Sequence, residues 1–246
     1  QLPPVGPGLV FDPMVSSKKL PVVRLGKVHR QKEGSGVIEV AESILAGTLP
    51  SLKNYNGEDT GVFIVPCDAK SIMGVTCEIY SELGADDEQA DVRVLTAVKT
   101  GYAGNKNINI KLHDMYGDDQ YVVDTHVRLG SQIIYTLNDY DRDLMNGSLG
   151  VITEAVDKHE ASDGSIIIAK AIFDGEEKFL NEMDFQGGTL SPVQFGYAIT
   201  VHKAQGSQFK RVIIPVTENR LLDQRLIYTA ITRCVDQAIF VGDVNA

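Results

Sequence analysis

The spacing of apolar residues changes twice along the chain, and each change predicts a change of architecture. Between Pro21 and Thr96, short β-branched runs alternate with stretches of helical period. Pro21-Val-Val-Arg-Leu25, Val62-Phe-Ile-Val65 and Val92-Arg-Val-Leu-Thr96 read as strands. Val37, Ile38, Ala41, Ile44 and Leu45 share one face of a helix expected over 35–46, with Gly47 as its stop. A second helix is expected over 69–83, closed by Gly84, and residues 48–61 read as loop. Strands and helices in alternation, joined by short links, predict an α/β domain with a parallel sheet.

From Gly130 to Phe185 the runs become short and strand-like, at 131–137, 149–155, 166–173 and 178–180. Asn138-Asp, Asn146-Gly, Asp163-Gly and Asp174-Gly punctuate them, which predicts a small antiparallel barrel or sheet. After Gly187-Gly188 the α/β character returns. Buried strands are expected at 211–216 and 238–242, with a helix from about 221 to 234 between them. The economical reading is one α/β domain interrupted by an all-β insertion. Residues 1–8 are rich in Pro and Gly and cannot form regular structure.

Composition narrows the class. The chain has 246 residues, 43% of them hydrophobic and 23% charged, enough for a sizeable core in a soluble protein. No run approaches the roughly 18 apolar residues of a membrane span. Cys67, Cys77 and Cys234 lack C-x-x-C spacing and read as reduced thiols, which suits a cytoplasmic location. A net charge of −10 argues against a protein that is basic throughout. It leaves room for a locally positive groove on nucleic acid. The acidic run 85–91 reads as a solvated linker. The chain opens on Gln1 with no charged and then apolar leader, so no signal peptide is expected. It reads as the interior of something longer.

Several chemistries are excluded by spacing. The phosphate loop G-x-x-x-x-G-K-[ST] is absent, since Gly26-Lys27 is followed by Val28 and preceded by Pro21 at the first glycine position. Asp139, Asp141 and Asp143 space like a calcium loop, but Leu144 and Gly150 occupy its glycine and bidentate-Glu positions. A polar hairpin turn is the better reading there. There is no H-E-x-x-H and no G-x-S-x-G, and no metal ligands are expected.

Two stretches carry chemistry. Phe195-Gly-Tyr-Ala-Ile-Thr-Val-His-Lys-Ala-Gln-Gly-Ser-Gln-Phe209 gathers the hydroxyl, imidazole, ammonium and amide groups of Thr200, His202, Lys203 and Gln205. Gly206 then allows close backbone approach. Such a cluster can grip a phosphate backbone. In Leu226-Ile-Tyr-Thr-Ala-Ile-Thr-Arg-Cys234, Tyr228 with Thr232 and Thr229 with Arg233 are spaced four apart. That spacing predicts a polar helix face ending in a guanidinium able to reach a neighbouring domain. Taken singly, each of these residues reads better as a surface polar group on an amphipathic helix; the whole pattern is far more specific. Tyr197, Phe209 and Tyr228 are assigned to the core, with stacking on a base as their other role.

Together these stretches resemble motifs V and VI of superfamily-1 DNA helicases, most closely the RecD-like branch, the α subunit of exodeoxyribonuclease V and its stand-alone relatives. Gln1-Leu-Pro-Pro-Val5 resembles the end of motif III, and Val23-Arg-Leu-Gly-Lys-Val-His-Arg-Gln31 resembles motif IV. Residues 95–112, with Gly101, Gly104 and Asn109, match the segment before an insertion. Residues 129–151 resemble the small SH3-like barrel inserted in this branch. The resemblance runs in order along nearly the whole chain.

The resemblance implies a RecA-like parallel-sheet domain of the P-loop NTPase type, lacking the P-loop half. Residues 1–20 would be a remnant of the first RecA-like domain or a linker. Residues 21–125 and 186–246 would form the second RecA-like domain, and 126–185 the inserted barrel. It implies ATP with Mg²⁺ in the full-length protein, single-stranded DNA as partner, and 5′ to 3′ translocation. Gln1 would sense the γ-phosphate, and Arg30 and Arg233 would be arginine fingers, a role worth about 10³–10⁵ in turnover in related enzymes. Gly206 and Gln208 would meet the nucleotide, and Thr200, His202 and Lys203 the DNA phosphates. Further implied partners are the missing N-terminal RecA-like domain and other exodeoxyribonuclease V subunits. Gln208 stands where the family usually has Glu, keeping an acceptor for a ribose hydroxyl without the charge. Because the resemblance begins inside motif III, the chain alone is expected not to hydrolyse ATP. Two other classes stay open, a binding remnant without ATP chemistry and an architectural subunit of a nuclease complex.

Overall fold

The computed structural model describes residues 10–17, 19–23, 34–48, 50–84 and 91–243. Gln1 and Arg30 lie outside them, as do most of the motif IV stretch and residues 85–90 of the acidic run.

Six parallel strands form the main sheet. They are β1 (Lys53–Asn54), β2 (Gly61–Pro66), β3 (Val92–Thr96), β9 (Ala198–Thr200), β10 (Phe209–Val216) and β11 (Cys234–Gly242), in the order β1-β2-β11-β10-β3-β9. Side chains alternate across it, as the two-residue strand period requires. Ile64, Leu95, Val212, Ile214 and Phe240 face α2 (Val37–Leu45) and α6 (Gln224–Ile231). Phe63, Val94, Ile213, Ile239 and Val241 face α3 (Ile72–Glu82) and α4 (Asn105–Tyr116). A sheet covered on both faces explains the near-continuous apolar runs of its central strands. A short helix, α1 (Phe11–Ser16), precedes this unit.

The second sheet is antiparallel. It contains β4 (Gln132–Tyr135), β5 (Leu149–Glu160), β6 (Ile166–Phe173), β7 (Glu176–Asn181) and β8 (Val193–Phe195), ordered β7-β6-β5-β4-β8. Its core holds Ile133, Tyr135, Leu144, Ile152, Ile168, Phe173 and Leu180. No ladder joins its edge strands β7 and β8 among the described residues, so the pairing is that of an open five-stranded sheet. A one-turn helix, α5 (Glu182–Phe185), follows β7 and starts on a capping box between Asn181 and Asp184.

Several expectations are corrected. Residues 21–23 are not a strand among the described residues, and Val23 is 87% exposed. The loop expected over 48–61 contains the short edge strand β1. The helix expected over 221–234 is shorter, because the Asp223 side chain caps it by accepting from the Leu226 amide, and Cys234 already begins β11. Asp91 is not simply solvated, since its carboxylate accepts from the Lys210 amide at 2.8 Å. The polar hairpin expected at Asp139–Asp143 is present, closed by paired backbone bonds between Asp139 and Leu144.

Candidate functional site

Thr200 ends β9 at the carboxyl edge of the parallel sheet, where ligand sites of open α/β folds collect. The chain then crosses back in tight helical turns. Ala204 donates to the Thr200 carbonyl at 3.1 Å, and the Lys203 amide reaches the Thr200 hydroxyl at 3.4 Å. Val201 and Ala204 pack into the α2/α6 core, which holds His202 and Lys203 half-buried beside them. Thr200, His202 and Lys203 are therefore brought together.

Lys203 borders a cavity of about 500 Å³ between α4, the 124–127 loop and β8. Burial pushes its ammonium below the ordinary lysine value, and nearby Lys99 pushes the same way. Lys106 lines the same cavity, and its amide donates to the Lys99 carbonyl. None of these three lysines forms a salt bridge among the described residues. Asp124, at the same cavity, is ion-paired with Lys158 at 2.8 Å. A local cationic cluster thus exists on a chain of net charge −10. Lys99 and Lys106 carry no motif in the sequence; only the packing of the segment after β3 brings them to Lys203.

The second group lies at the opposite, amino edge. Ser207 and Gln208 precede Phe209, the first residue of β10, and Arg233 precedes Cys234, the first of β11. The Phe209 amide donates to the Arg233 carbonyl at 2.9 Å. Arg233 donates from Nη1 to the Ser207 carbonyl at 3.2 Å and from Nε to the Thr229 carbonyl at 3.3 Å. Gly206 has φ +93°, a conformation that favours glycine, and no atom lies within 4 Å of where its Cβ would be. An open backbone therefore stands next to a fixed guanidinium, a donor set suited to an anionic phosphate. Gly206, Gln208 and Arg233 form one group, separate along the strand direction from Thr200 at the other edge.

The polar face expected on α6 is only partly present. Thr229 is buried at 5% exposure, and its hydroxyl donates back to the Arg225 carbonyl. Tyr197 and Phe209 are core residues, as assigned. Among the described residues no group of His, Cys, Asp and Glu could hold a metal ion. No described helix is long and apolar enough to cross a membrane.

The class follows from comparison. Residues 195–241, which span both groups, match the family model of the UvrD-like helicase C-terminal domain. A solved Pif1 helicase structure, titled for DNA unwinding at forked duplexes, shares the fold over 87% of this chain at a TM-score of 0.52 and 19% identity. The chain is also similar throughout, at 28% identity, to an ATP-dependent RecD2 DNA helicase of Deinococcus radiodurans. Over 61% of its length it is 31% identical to the RecBCD enzyme subunit RecD of Mycolicibacterium smegmatis. It thus resembles the C-terminal part of a RecD-like superfamily-1 helicase. The chain spans 32% of the Deinococcus protein and 25% of the Mycolicibacterium one.

Proposed function

We propose that this chain is the second motor domain of an ATP-dependent DNA helicase that moves 5′ to 3′ on single-stranded DNA. Residues 21–125 and 186–246, apart from β8, make its RecA-like unit, and 126–185 together with β8, which pairs with β4, make its inserted module, which we read as SH3-like. The observation that carries the reading is the amino-edge group: Arg233 held by the Ser207 carbonyl beside the open backbone of Gly206. In this reading Arg233, with Arg30 and Gln1, faces the phosphates of ATP bound mainly by a first RecA-like domain. Gln208 accepts from the ribose. A guanidinium there stabilises negative charge on the transferring phosphoryl group.

The lysine cluster at the other edge supplies the nucleic-acid contacts, with Thr200, His202 and Lys203 on the phosphates. Fixed cations of this kind release counterions from single-stranded DNA and so make binding salt-dependent. Since the sequence has no phosphate loop, we expect the chain alone not to hydrolyse ATP.

The test uses the full-length parent. Arg233→Ala should lower ATP turnover by about 10³–10⁵ while single-stranded DNA affinity stays within threefold. Turnover within tenfold of wild type would remove Arg233 from the reaction.

A further inference from the structure

The two candidate groups lie at opposite edges of the parallel sheet, and one side chain touches structures leading to both. Arg93, on β3, donates from Nη1 to the Gln132 side-chain oxygen at 2.6 Å and also to the Gly196 carbonyl. Gln132 is the first residue of β4 in the inserted sheet, and Gly196 joins β8 to β9, the strand that ends at Thr200. On its other side the Arg93 guanidinium lies over the Phe209 ring, 5.4 Å from the centroid. Phe209 is the residue whose amide holds the Arg233 carbonyl.

The chemistry of this placement is unusual for a purely structural arginine. No carboxylate forms a salt bridge with Arg93 among the described residues, and its Nε is buried without a hydrogen-bond partner. Tyr80 and Asp91 act on this guanidinium electrostatically, but its direct contacts are a side-chain amide, a carbonyl and an aromatic face, and these fix its direction. A methionine or leucine would fill the same space with no orphaned donor. What those residues could not do is register the position of Gln132 and Gly196 against Phe209 at once.

We propose that Arg93 is a positioning residue that couples the inserted sheet and the β8–β9 junction to Arg233. The proposal rests on the helicase reading above. When nucleic acid shifts the inserted sheet against the parallel one, Arg93 passes the shift to the Phe209 ring, and the Phe209 amide passes it to Arg233. Its role is therefore in the stimulation of turnover by DNA, not in holding either substrate.

The experiment compares wild-type full-length parent with Arg93→Gln, Arg93→Lys and Phe209→Leu. The readouts are DNA-free turnover, turnover at saturating single-stranded DNA, the KM for ATP and the DNA Kd. Arg93→Gln should lower the stimulation by DNA at least tenfold, with DNA-free turnover, KM and Kd each within threefold. Arg93→Lys keeps the charge but loses the planar fork, and should fall between. Phe209→Leu removes the ring face while keeping an apolar core residue, and should weaken stimulation in the same direction; it decides the matter if Arg93→Gln does not fold. Stimulation retained in a folded Arg93→Gln, or a proportional fall of basal and stimulated turnover, overturns the proposal. A wild-type parent without DNA-stimulated turnover would instead overturn the helicase reading. Amide exchange then still judges the coupling: DNA should alter exchange at Phe209 in wild type and not in Arg93→Gln, and equal responses would overturn it.

Discussion

The Arg233 guanidinium donates to the carbonyl of Ser207, 26 residues earlier in the chain, at 3.2 Å. Its Nε is held by Thr229, one helical turn back, at 3.3 Å. The side chain is thus aimed by two backbone carbonyls at the edge where Gly206 leaves the backbone open. Lysine has the charge but cannot satisfy both carbonyls in one plane. Arg233→Lys in the full-length parent should reduce ATP turnover more than tenfold at unchanged DNA affinity. Turnover near wild type would show that charge alone suffices.

Gly206 separates stability from function. At φ +93° an alanine is strained by about 1–3 kcal/mol, but its Cβ meets nothing within 4 Å. Gly206→Ala should therefore fold, with a modest loss in urea titration, while raising the KM for ATP in the parent. An unchanged KM would place the nucleotide elsewhere.

Lys203 should behave as a phosphate contact. Lys203→Ala should weaken single-stranded DNA binding regardless of sequence and reduce the slope of log affinity against log salt by about 0.7. An unaltered slope would show that the lysine does not meet the backbone.

His113 gives the chain a pH signature. Its ring donates from Nε2 to the His126 carbonyl at 2.9 Å, contacts the Ser131 hydroxyl through Nδ1 at 3.2 Å, and stacks on Phe195. Burial pushes its pKa below the ordinary histidine value; Arg128 and His126 push the same way, against the His126 carbonyl bond and Asp114. The unfolded chain then binds the extra proton first. Stability is full above the unfolded value near 6.5 and falls as pH drops toward the folded one, by at most about 1.4 kcal/mol per pH unit. Urea midpoints of this chain between pH 7.5 and 5.5 should show that slope, and His113→Gln should flatten it. Identical slopes would assign the effect to other groups.

The inserted sheet has its own anchor. Arg142 binds Asp184 through both Nη atoms, at 2.6 and 2.9 Å, and Asp139 through Nε at 2.7 Å. The Asp184 side chain is only 3% exposed. Arg142→Met leaves that carboxylate without its cation and should cost about 3–5 kcal/mol in urea unfolding. A loss under 1 kcal/mol would mean the carboxylate finds water or protonates at little cost.

The sequence was most informative where one physical effect dominates. Val92–Thr96 is legible to the residue, because its β-branched Val92, Val94 and Thr96 and apolar Leu95 leave Arg93 as the single charged position. Helix α4 is poorly legible in the sequence, because half of its buried stripe is polar. Asn109 and His113 sit beside Ile108 and Leu112, and Asn109's bonds to the Phe195 and Ala198 carbonyls and His113's to the His126 carbonyl replace apolar contact. Gly104 and Gly117 bracket that helix, and Ile108, Leu112 and Met115 at helical spacing are its apolar signal. At the site, the motif spacing carried Thr200, His202, Lys203, Gly206 and Arg233. It could not carry Lys99, Lys106 or Arg93, which meet them only through pairing and packing distant in the chain.

The junction between the sheets has a mechanical consequence. Only Gly196 and Tyr197 separate β8 from β9, at most about 7 Å of extended chain. Neither is slack: the Gly196 amide is fixed to Gln132 and the Tyr197 carbonyl to Val94. The insertion is therefore no pendulum on a tether but a cantilever. A load applied to its free end is borne at once by the strand that presents Thr200.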